Sequence, residues 1–380
     1  MRILQVTPYF APAWAYGGPP RVMRDYAAGL AGRGHQVDVF TTDVLDEHAR
    51  ASPRTETLDG ARVRRFPNLS NDLAWHTKKY LPRGLLSALL RSAGSYDVLH
   101  VTDTRTYVAA SAHLASAARS RPLAVSAFGS LPRSTGLRGK VKDVYDLGFV
   151  RPMLRRSPLL LAQTAHEAEL YEELGGRPGA IRLLPLPLDE VPAATPGAFR
   201  ERLGVGSDER LLLFLGRVNR LKGLDVLIEA VEPLLGEGTS LAVVGRDDGQ
   251  LDELRARFAP LFAAGTIRFA GPIYGAERFD AYADADVFCL TPTHWEETSL
   301  ASLEAAASGT PVVLTEQAEI PGLQDAGGGF VVPLDSDAIR SAVESALSDA
   351  QMGERARAHV LAHHSRDVVV ASLERYLLAL

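Results

Sequence analysis

One stretch decides the fold predicted for this chain: Thr293-His-Trp-Glu-Glu-Thr-Ser-Leu-Ala-Ser-Leu-Glu-Ala-Ala-Ala-Ser-Gly-Thr-Pro-Val-Val313. The run before it, Asp286–Thr291, is short, apolar and followed by a proline, which is typical of a buried strand. Leu300–Ala307 contains only good helix formers and small residues, and Pro311–Leu314 is typical of a further strand. The stretch therefore predicts a strand, a loop, a helix and a second strand in succession.

The ends of the predicted helix are marked by their residue types. Thr298 or Ser299 is placed to cap the first turn, and Gly309 is placed to end the helix. The first backbone N–H groups of such a helix lack partners, and its start carries partial positive charge. We therefore predict a phosphate site there.

A glutamate inside this Ala-rich helix is the unusual feature. A carboxylate at Glu304 is unfavourable in an apolar setting unless something donates a hydrogen bond to it. Glu296 lies eight residues earlier, in the loop, so the two carboxylates could hold two sets of hydroxyls on one ligand. The alternative is that Glu296 and Glu297 are solvated loop charges and that Glu304 faces water.

Length and composition limit the class of protein. A chain of 380 residues exceeds one ordinary core, so two domains are expected. The hydrophobic fraction of 46% and the charged fraction of 23% are typical of a soluble globular protein. A single cysteine, Cys289, cannot form an internal disulfide and fits a reducing compartment. The sequence contains no predicted signal peptide or membrane span, so we expect a cytoplasmic protein.

Charge divides the chain into two unlike parts. Residues 1–185 contain 25 Lys and Arg against 16 Asp and Glu, a net charge of +9, and the remainder contains 16 against 30, a net charge of −14. The basic part is a candidate for contact with a lipid headgroup or a phosphorylated acceptor, and the alternative is uneven scatter of charge. The overall pI near 6.1 argues against a nucleic-acid partner.

The first part of the chain begins with a predicted βαβ unit. Its strands are Arg2–Thr7 and Val37–Thr41, and its helix is Arg21–Arg33. The loop after the first strand contains Gly17 and Gly18, which allow the backbone to approach a phosphate or sugar closely, although glycine pairs are also ordinary in turns. Further strands are predicted at Ala61–Phe66, Val98–Thr102 and Leu123–Ala127.

The alternation of strands and helices indicates the α/β class, with parallel sheets covered by helices on both faces. Ligands of such sheets bind beyond the carboxyl ends of the strands. We therefore expect the loops after Thr7, His100 and Ala127 beside one crevice.

A linker separates two α/β series. Pro185–Pro196 contains four prolines, and the second series begins beyond it. Its predicted strands are Leu211–Leu215, Ser240–Val244 and Thr266–Phe269, and its helices are Leu224–Leu234, Leu251–Phe258 and Phe279–Ala283. The carboxyl end is predicted to be a helical tail.

Two cations follow the strand Leu211–Leu215. Arg217 and Lys222 lie on a glycine-containing loop, which suits a diphosphate because guanidinium binds in a fork and ammonium acts as a compact charge. Lys222 is one of only five lysines beside 36 arginines, so we expect the compact ammonium to matter. The alternative is an ordinary solvated loop.

Asp284 and Asp286 have the spacing of carboxylates that hold a divalent cation in some sugar-nucleotide enzymes. They lie between a predicted helix and a buried strand, so we interpret them as structural and expect no metal. Residues 133–156 are basic and interleaved with apolar side chains, which would suit an anionic membrane surface, although a solvated helix is the preferred interpretation.

The order of these motifs resembles the family 4 retaining glycosyltransferases of the glycosyltransferase-B fold. The resemblance rests on Gly17-Gly18, on Gly216-Arg217 with Lys222-Gly223, on Glu296 and Glu304, and on Thr164-Ala-His-Glu-Ala-Glu169. It implies two Rossmann-like, doubly wound parallel-sheet domains that face a cleft. Residues 1–185 would bind the acceptor, residues 186–365 would bind a nucleotide sugar, and the helix of residues 366–380 would pack back on the first domain.

The resemblance implies roles at the leaving group. Arg217 and Lys222 would bind the donor diphosphate, assisted by backbone N–H groups near Thr298, Ser299 and Leu300. Negative charge that develops on the leaving group would be stabilised by the two cations and the start of the helix, without a metal or other cofactor.

The resemblance also implies roles around the sugars. Glu304 would hold the ribose hydroxyls, and Glu296 would contact the transferred sugar near the reacting carbon, forming the catalytic group with Arg217 and Lys222. Gly18 would approach the donor phosphate or the acceptor across the cleft.

Three positions depart from the family pattern. They are Phe128-Gly129 in place of His-Gly, Leu184-Pro-Leu-Pro187 in place of Asn-Gly, and Glu296-Glu-Thr in place of Glu-Gly-Phe. Because the usual histidine is replaced, the acceptor-side candidates are Gly17, His100, Asp103 and Phe128.

The implied activity is that of a retaining, metal-independent hexosyltransferase. It would move a sugar from a UDP- or GDP-linked donor to a hydroxyl of a glycan, lipid-linked or small-molecule acceptor. The alternatives are a sugar-nucleotide epimerase or phosphorylase of the same fold, or a catalytically silent nucleotide-sugar-binding partner. The sequence leaves open whether the protein contacts the inner face of an anionic membrane peripherally. The acceptor loops Asn68–Tyr80 and Ser130–Lys142 contain no motif that identifies the acceptor.

Overall fold

A computed structural model describes residues 1–132, 142–236 and 238–380. Within them the chain divides into two compact units, Met1–Pro187 with Arg366–Leu380, and Leu188–Ser365. Most of the predicted acceptor loop Ser130–Lys142, with its basic residues Arg133, Arg138 and Lys140, lies outside the described residues. No helix in the described part is long and apolar enough to cross a membrane.

The first unit is built on an eight-stranded sheet. Its strands are β1 (Arg2–Val6), β2 (Gln36–Thr42), β3 (Thr55–Leu58), β4 (Ala61–Phe66), β5 (Val98–Thr102), β6 (Leu123–Ser126), β7 (Leu159–Ala162) and β8 (Ile181–Leu183). Their order is β3-β4-β2-β1-β5-β6-β7-β8, and only β3 with β4 is antiparallel. The order changes direction between β1 and β5, which is where such sheets bind ligands.

Helices of this unit pack on the sheet or on one another. They are Pro19–Gly32, Asn71–Thr77, Leu85–Ser92, Tyr107–Ala118, Arg151–Arg156, Ala165–Glu173 and the terminal Arg366–Leu378. The terminal helix packs on the helix Pro19–Gly32 within this unit. A Cβ atom on Gly29 would lie 2.5 Å from a methyl of Val370, so this glycine permits the close contact of the two helices.

The second unit contains a fully parallel six-stranded sheet. Its strands are β9 (Arg210–Leu215), β10 (Thr239–Val244), β11 (Ile267–Gly271), β12 (Val287–Leu290), β13 (Val312–Thr315) and β14 (Gly329–Val332), in the order β11-β10-β9-β12-β13-β14. Its helices are Ala198–Leu203, Leu224–Val231, Leu251–Arg257, Ala259–Ala263, Arg278–Asp284, Leu300–Ala307, Ser336–Ser348 and Met352–His364. The order changes direction between β9 and β12.

The predicted α/β class with two Rossmann-like parallel sheets is confirmed. The strand β9 is a continuous apolar run because helices bury both of its faces. Two predicted bounds were wrong for reasons of proline chemistry. The first helix begins at Pro19, since proline is favoured at the first helical positions. The predicted helix Leu224–Leu234 is α-helical only to Val231 and continues as a 3-10 helix over Glu232–Leu234, because Pro233 lacks the N–H of an α-helical bond.

The carboxylates of Asp284 and Asp286 have structural partners, as interpreted. Asp284 accepts hydrogen bonds from the backbone N–H groups of Gly197, Phe199 and Arg200 at 2.7, 2.8 and 3.1 Å. These N–H groups belong to the start of the helix Ala198–Leu203 and the glycine before it, so the carboxylate caps that helix. Asp286 accepts from the guanidinium of Arg200 at 2.7 Å.

We expect Asp284→Ala to lower the free energy of unfolding by about 2 kcal/mol, because three N–H groups lose a charged acceptor. Asp280→Ala is the matched control, since Asp280 lies on the same helix and accepts a single bond, from the exposed N–H of Thr195. Urea denaturation of both variants measures the difference. Equal losses would contradict the capping role.

Candidate functional site

The polar residues predicted to act together lie on two loops of the second unit. Residues 216–223 follow β9, and residues 291–299 follow β12. The strands β9 and β12 are paired at the point where the strand order changes direction, so both loops open on the crevice beyond their carboxyl ends. The N–H of Thr293 donates to the carbonyl of Leu221 at 3.0 Å, which joins the two loops.

The contact between the loops requires a glycine. Gly223 has a φ of +63°, and a Cβ atom there would lie 1.9 Å from the carbonyl oxygen of Thr291. The side-chain hydroxyl of Thr291 also donates a hydrogen bond to the carbonyl of Gly223 at 2.9 Å. A side chain at this position would therefore separate the loops that bear the predicted site.

Lys222 and Glu296 form an ion pair across these loops. The ammonium of Lys222 lies 2.5 Å from Oε1 and 2.8 Å from Oε2 of Glu296, and the side chains are only 17% and 18% exposed. The backbone N–H of Glu296 donates to the carbonyl of Gln317 at 2.8 Å. The Glu296 carboxylate is therefore fixed by its ion pair, and the alternative interpretation of Glu296 as a solvated loop charge was wrong.

The neighbouring Glu297 is also not a solvated charge. It is 1% exposed, and its φ of +62° lies in the left-handed region. The family pattern that this chain resembles has glycine at this position, and glycine adopts the left-handed conformation without strain. For a residue with a side chain, this conformation is less favourable by about 1 to 2 kcal/mol. The backbone of this loop thus keeps a conformation that its sequence disfavours.

Arg217 is held by a third loop. Its guanidinium lies 3.2 Å from Oδ2 of Asp248, which also accepts from the side-chain amide of Asn219 at 3.1 Å. Asp248 follows β10, the other neighbour of β9. The sequence contained no signal for this partner, because it depends on which strands lie side by side.

The helix Leu300–Ala307 begins differently from the prediction. Ser299 is the residue before its first turn, but no side chain caps this helix start, and the hydroxyl of Thr298 instead donates to the carbonyl of Glu319 at 3.1 Å. The predicted side-chain cap was therefore wrong. In general, the first backbone N–H groups of a helix without a side-chain cap can bind a phosphate oxygen. Gly309 follows the helix with a φ of +86°, as its predicted role at the end requires.

Glu304 has partners that the sequence did not reveal. Arg278 donates from Nε to Oε2 at 2.8 Å and from Nη2 to Oε1 at 2.6 Å, and the Tyr282 hydroxyl donates to Oε2 at 3.0 Å. Burial by itself would lower the pKa of Arg278. The hydrogen bonds to Glu304 and its negative charge have the larger combined effect, so the pKa of Arg278 is raised. The expectation that this carboxylate is hydrogen-bonded is confirmed, whereas its interpretation as a group that faces water was wrong.

The predicted glycine pair lies in the first unit, after β1. Gly17 has a φ of +93°, which favours glycine, whereas Gly18 has a φ of −70° and is the residue before the helix Pro19–Gly32. Pro19 and Pro20 have no N–H group. This helix start therefore offers fewer donors to an anion than the start of Leu300–Ala307.

Two of the acceptor-side candidates, His100 and Asp103, lie at β5: His100 within the strand and Asp103 directly after it. His100 is 0% exposed and bonds through Nε2 to the hydroxyl of Ser126 at 2.9 Å, and burial lowers the pKa of His100 to about 4. This burial corrects the expectation of an acceptor contact, because the His100 side chain is not accessible to a ligand. Asp103 follows the strand with a φ of +64° and accepts from the hydroxyl of Tyr9 at 3.1 Å. Burial raises the pKa of Asp103.

Phe128 lies in the loop after β6, with a φ of +49°. The next residue, Gly129, donates its N–H to Oε1 of Glu167 at 2.8 Å, and Oε2 of the same carboxylate accepts from the N–H of Gln163 at 2.9 Å. Glu167 is fully buried and lies in the segment 164–169 that carried part of the resemblance. It joins the loops after β6 and β7, a structural role that the sequence did not reveal.

Two family models match the chain, one in each unit. The family model described as glycosyl transferases group 1 matches residues 209–349, and the model described as glycosyl transferase 4-like domain matches residues 17–187. The D-inositol 3-phosphate glycosyltransferase of Kineococcus radiotolerans is 30% identical over 388 residues, which cover 90% of this chain and 85% of that protein. An uncharacterised glycosyltransferase of Methanocaldococcus jannaschii is 25% identical, with coverage of 92% and 90%.

Solved structures share the fold. The Anabaena protein HepE, solved in complex with UDP, superposes with a TM-score of 0.75 at 18% identity, and all of both chains is covered. Sucrose-phosphate synthase of Thermosynechococcus elongatus superposes with a TM-score of 0.73 at 20% identity, again over the whole of both chains. At these identities the likeness concerns the glycosyltransferase-B fold alone.

We expect Gly223→Ala to lower the free energy of unfolding by more than about 2 kcal/mol. Alanine is strained in the left-handed backbone conformation, and its Cβ atom would also clash with the carbonyl oxygen of Thr291. Gly265→Ala is the control, since Gly265 has a φ of +72° but open space around its Cβ position, and it should lose only about 1 kcal/mol. Chemical denaturation measures both variants. A smaller loss for Gly223→Ala would show that the two loops do not need this contact.

The lowered pKa of the buried His100 predicts that the stability of the protein depends on pH. Its folded-state pKa of about 4 lies below its ordinary value of 6.5, so protonation favours the unfolded chain, and stability falls as pH falls from 6.5 to 4. The contribution is about 3 kcal/mol over this window. Replacement of His100 by Gln should remove this part of the slope, whereas the same change at His48, which is 86% exposed, should leave the slope unchanged. Identical slopes in all three proteins would contradict the assignment.

Proposed function

The chain belongs to the glycosyl transferases group 1 family, and we propose that it transfers a sugar from a UDP- or GDP-linked donor to an acceptor hydroxyl, with retention of configuration and without a metal. The observation that carries this proposal is the grouping of two cations, an uncapped helix start and two held glutamates at one end of a parallel sheet. The named activities of the relatives and the UDP complex of HepE support it.

The cations and the helix start serve the leaving group. Cleavage of the bond between the sugar and the diphosphate leaves negative charge on the phosphate oxygens. Lys222, Arg217 and the N–H groups at the start of Leu300–Ala307 supply positive charge at fixed positions, which stabilises that charge as it develops. This arrangement supplies by itself what a divalent cation supplies in metal-dependent transferases.

Glu296 is prepared for the transferred sugar by its pairing with Lys222. When a diphosphate binds the ammonium, the charge of Lys222 is shared between phosphate and carboxylate. Oxygens of Glu296 are then available to accept hydrogen bonds from sugar hydroxyls. The backbone bond from Glu296 to Gln317 holds the loop in place during this exchange.

Retention follows from attack on the face of the sugar that the diphosphate leaves. The bond from the anomeric carbon to the phosphate oxygen breaks, and the bond to the acceptor oxygen forms on the same side. The proton of the acceptor hydroxyl passes to the departing phosphate oxygen, so atoms and charge balance. The enzyme contributes orientation and charge stabilisation, without a covalent intermediate on a side chain.

The acceptor is proposed to bind the first unit, at the loops after β1, β5 and β6 that bear Gly17, Asp103 and Phe128. Among glycans, lipid-linked sugars and small molecules, the names of several relatives favour a small phosphorylated alcohol. The net charge of +9 over residues 1–185 is compatible with such an anion.

The donor site is tested by calorimetric titration with UDP, GDP and ADP in the presence of EDTA. We expect one nucleotide to bind the wild type, and we expect Lys222→Ala to weaken it by about tenfold or more, because a charge-assisted contact to phosphate is lost. Lys79→Ala is the control for removal of an ammonium from an exposed site and should bind like the wild type.

The chemistry is tested by NMR of the product formed from an anomerically pure sugar nucleotide of the base that binds. An unchanged anomeric configuration in the glycoside supports retention, and an inverted one refutes it. Conversion of the sugar nucleotide without an acceptor would favour an epimerase. Dependence on free phosphate would favour a phosphorylase, and absence of nucleotide binding would overturn the donor site.

A further inference from the structure

The carboxylate of Glu304 is held by two side chains of another helix. Arg278 and Tyr282 lie one turn apart on the helix Arg278–Asp284, so both reach the same carboxylate. Arg278 binds in a fork, with one donor to each oxygen, and Tyr282 adds a second donor to Oε2. The side chains of Arg278 and Glu304 are only 14% and 10% exposed.

These bonds limit what Glu304 can accept. An ionised carboxylate offers about four lone-pair positions, two on each oxygen. Arg278 and Tyr282 use both positions on Oε2, and Arg278 uses one position on Oε1. One position is left, on Oε1, so the carboxylate can accept from one ligand hydroxyl while both of its present partners stay in place.

The pairing also fixes the charge of the site. A buried carboxylate without a countercharge favours its protonated form. The guanidinium of Arg278 supplies this countercharge, and its fork geometry fixes the plane of the Glu304 carboxylate.

Among the described residues, the other elements packed on the helix Leu300–Ala307 bring no further charged partner to the Glu304 carboxylate. The strands beneath its helix, Val287–Leu290 and Val312–Thr315, contain no charged side chain. The helix Met352–His364 also packs on Leu300–Ala307, but its Arg355 pairs with Asp349, and its His359 bonds to the carbonyl of Pro321. Among the described residues, the charged or titratable groups that contact the Glu304 carboxylate are therefore Arg278 and Tyr282.

We propose that Arg278 and Tyr282 are positioning residues for nucleotide recognition, which keep Glu304 ionised and leave Oε1 to accept one ribose hydroxyl. This inference rests on the proposed function, and it takes Glu304 as the group that holds the ribose, as the family resemblance implies. It assigns a role to Arg278 and Tyr282, which belonged to no motif in the sequence. It also restricts recognition to a single hydroxyl of the ribose.

The first test is the pH dependence of nucleotide binding in Arg278→Met, with the nucleotide that binds the wild type. The ratio of variant to wild-type dissociation constants cancels the titration of the nucleotide itself. We expect this ratio to be about tenfold near pH 5.5 and to shrink towards pH 8.5, because the unpaired carboxyl group loses its proton as pH rises. Arg257→Met removes the partner of an exposed glutamate, Glu229, in the same unit, and its ratio should stay near one.

Two further variants separate positioning from simple loss of structure. Arg278→Lys keeps the countercharge and should restore the flat pH profile, with weaker binding because the fork is lost. In Glu304→Gln, which has no carboxyl to titrate, the added change Arg278→Met should bring no pH dependence. A flat ratio for Arg278→Met at every pH, in a folded sample, would overturn the proposal.

The single acceptor position is tested with the 2′-deoxy and 3′-deoxy forms of the nucleotide. One form should bind the wild type as tightly as the parent nucleotide, and the other about tenfold more weakly. Equal large losses for both would show that both hydroxyls reach Glu304 and that Arg278 leaves it on binding. If the wild type binds no nucleotide, the proposed function fails; if it binds and these variants match it, this inference alone fails.

Discussion

The parallel pairing of β9 with β12 is the constraint on which the candidate site depends. These strands are distant in the sequence, yet their pairing sets the loop with Lys222 beside the loop with Glu296. Gly223 permits the contact because any side chain there would meet the carbonyl of Thr291. The helix Leu300–Ala307 starts at the same end of the sheet, so cations, carboxylates and helix donors converge without a dedicated insertion.

Charge at this site is balanced in pairs. Lys222 faces Glu296, Arg217 faces Asp248, and Arg278 faces Glu304. Isolated charges as buried as those of Lys222, Glu296, Arg278 and Glu304 would be unfavourable, so pairing lets the unit keep these candidate binding groups within a stable fold. The pairs differ in burial: Arg217 is 59% exposed, whereas Arg278 is 14% exposed. We therefore expect a bound diphosphate to rearrange the pair of Arg217 and Asp248 more easily than the pair of Arg278 and Glu304.

The sequence was informative where the signal is local. The helix Leu300–Ala307 was predicted with its observed bounds, since residue types and a terminal glycine define such a helix. The strand β3 was missed because Thr55–Leu58 is a polar edge strand that lacks a buried apolar run. The partners Asp248, Arg278 and Tyr282 were missed because they reach the site through strand order, which single motifs do not encode. His100 was misplaced for the related reason that its strand is buried on both faces.

The central claim is that the loops after β9 and β12, with the start of Leu300–Ala307, bind the diphosphate of a sugar nucleotide. A crystal structure with a bound nucleoside diphosphate, grown in EDTA, tests it most directly. The account predicts phosphate oxygens within hydrogen-bond distance of Lys222, Arg217 and the N–H groups at Ser299 and Leu300, with one ribose hydroxyl on Glu304. A diphosphate held elsewhere, with the pair between Lys222 and Glu296 untouched, would contradict it.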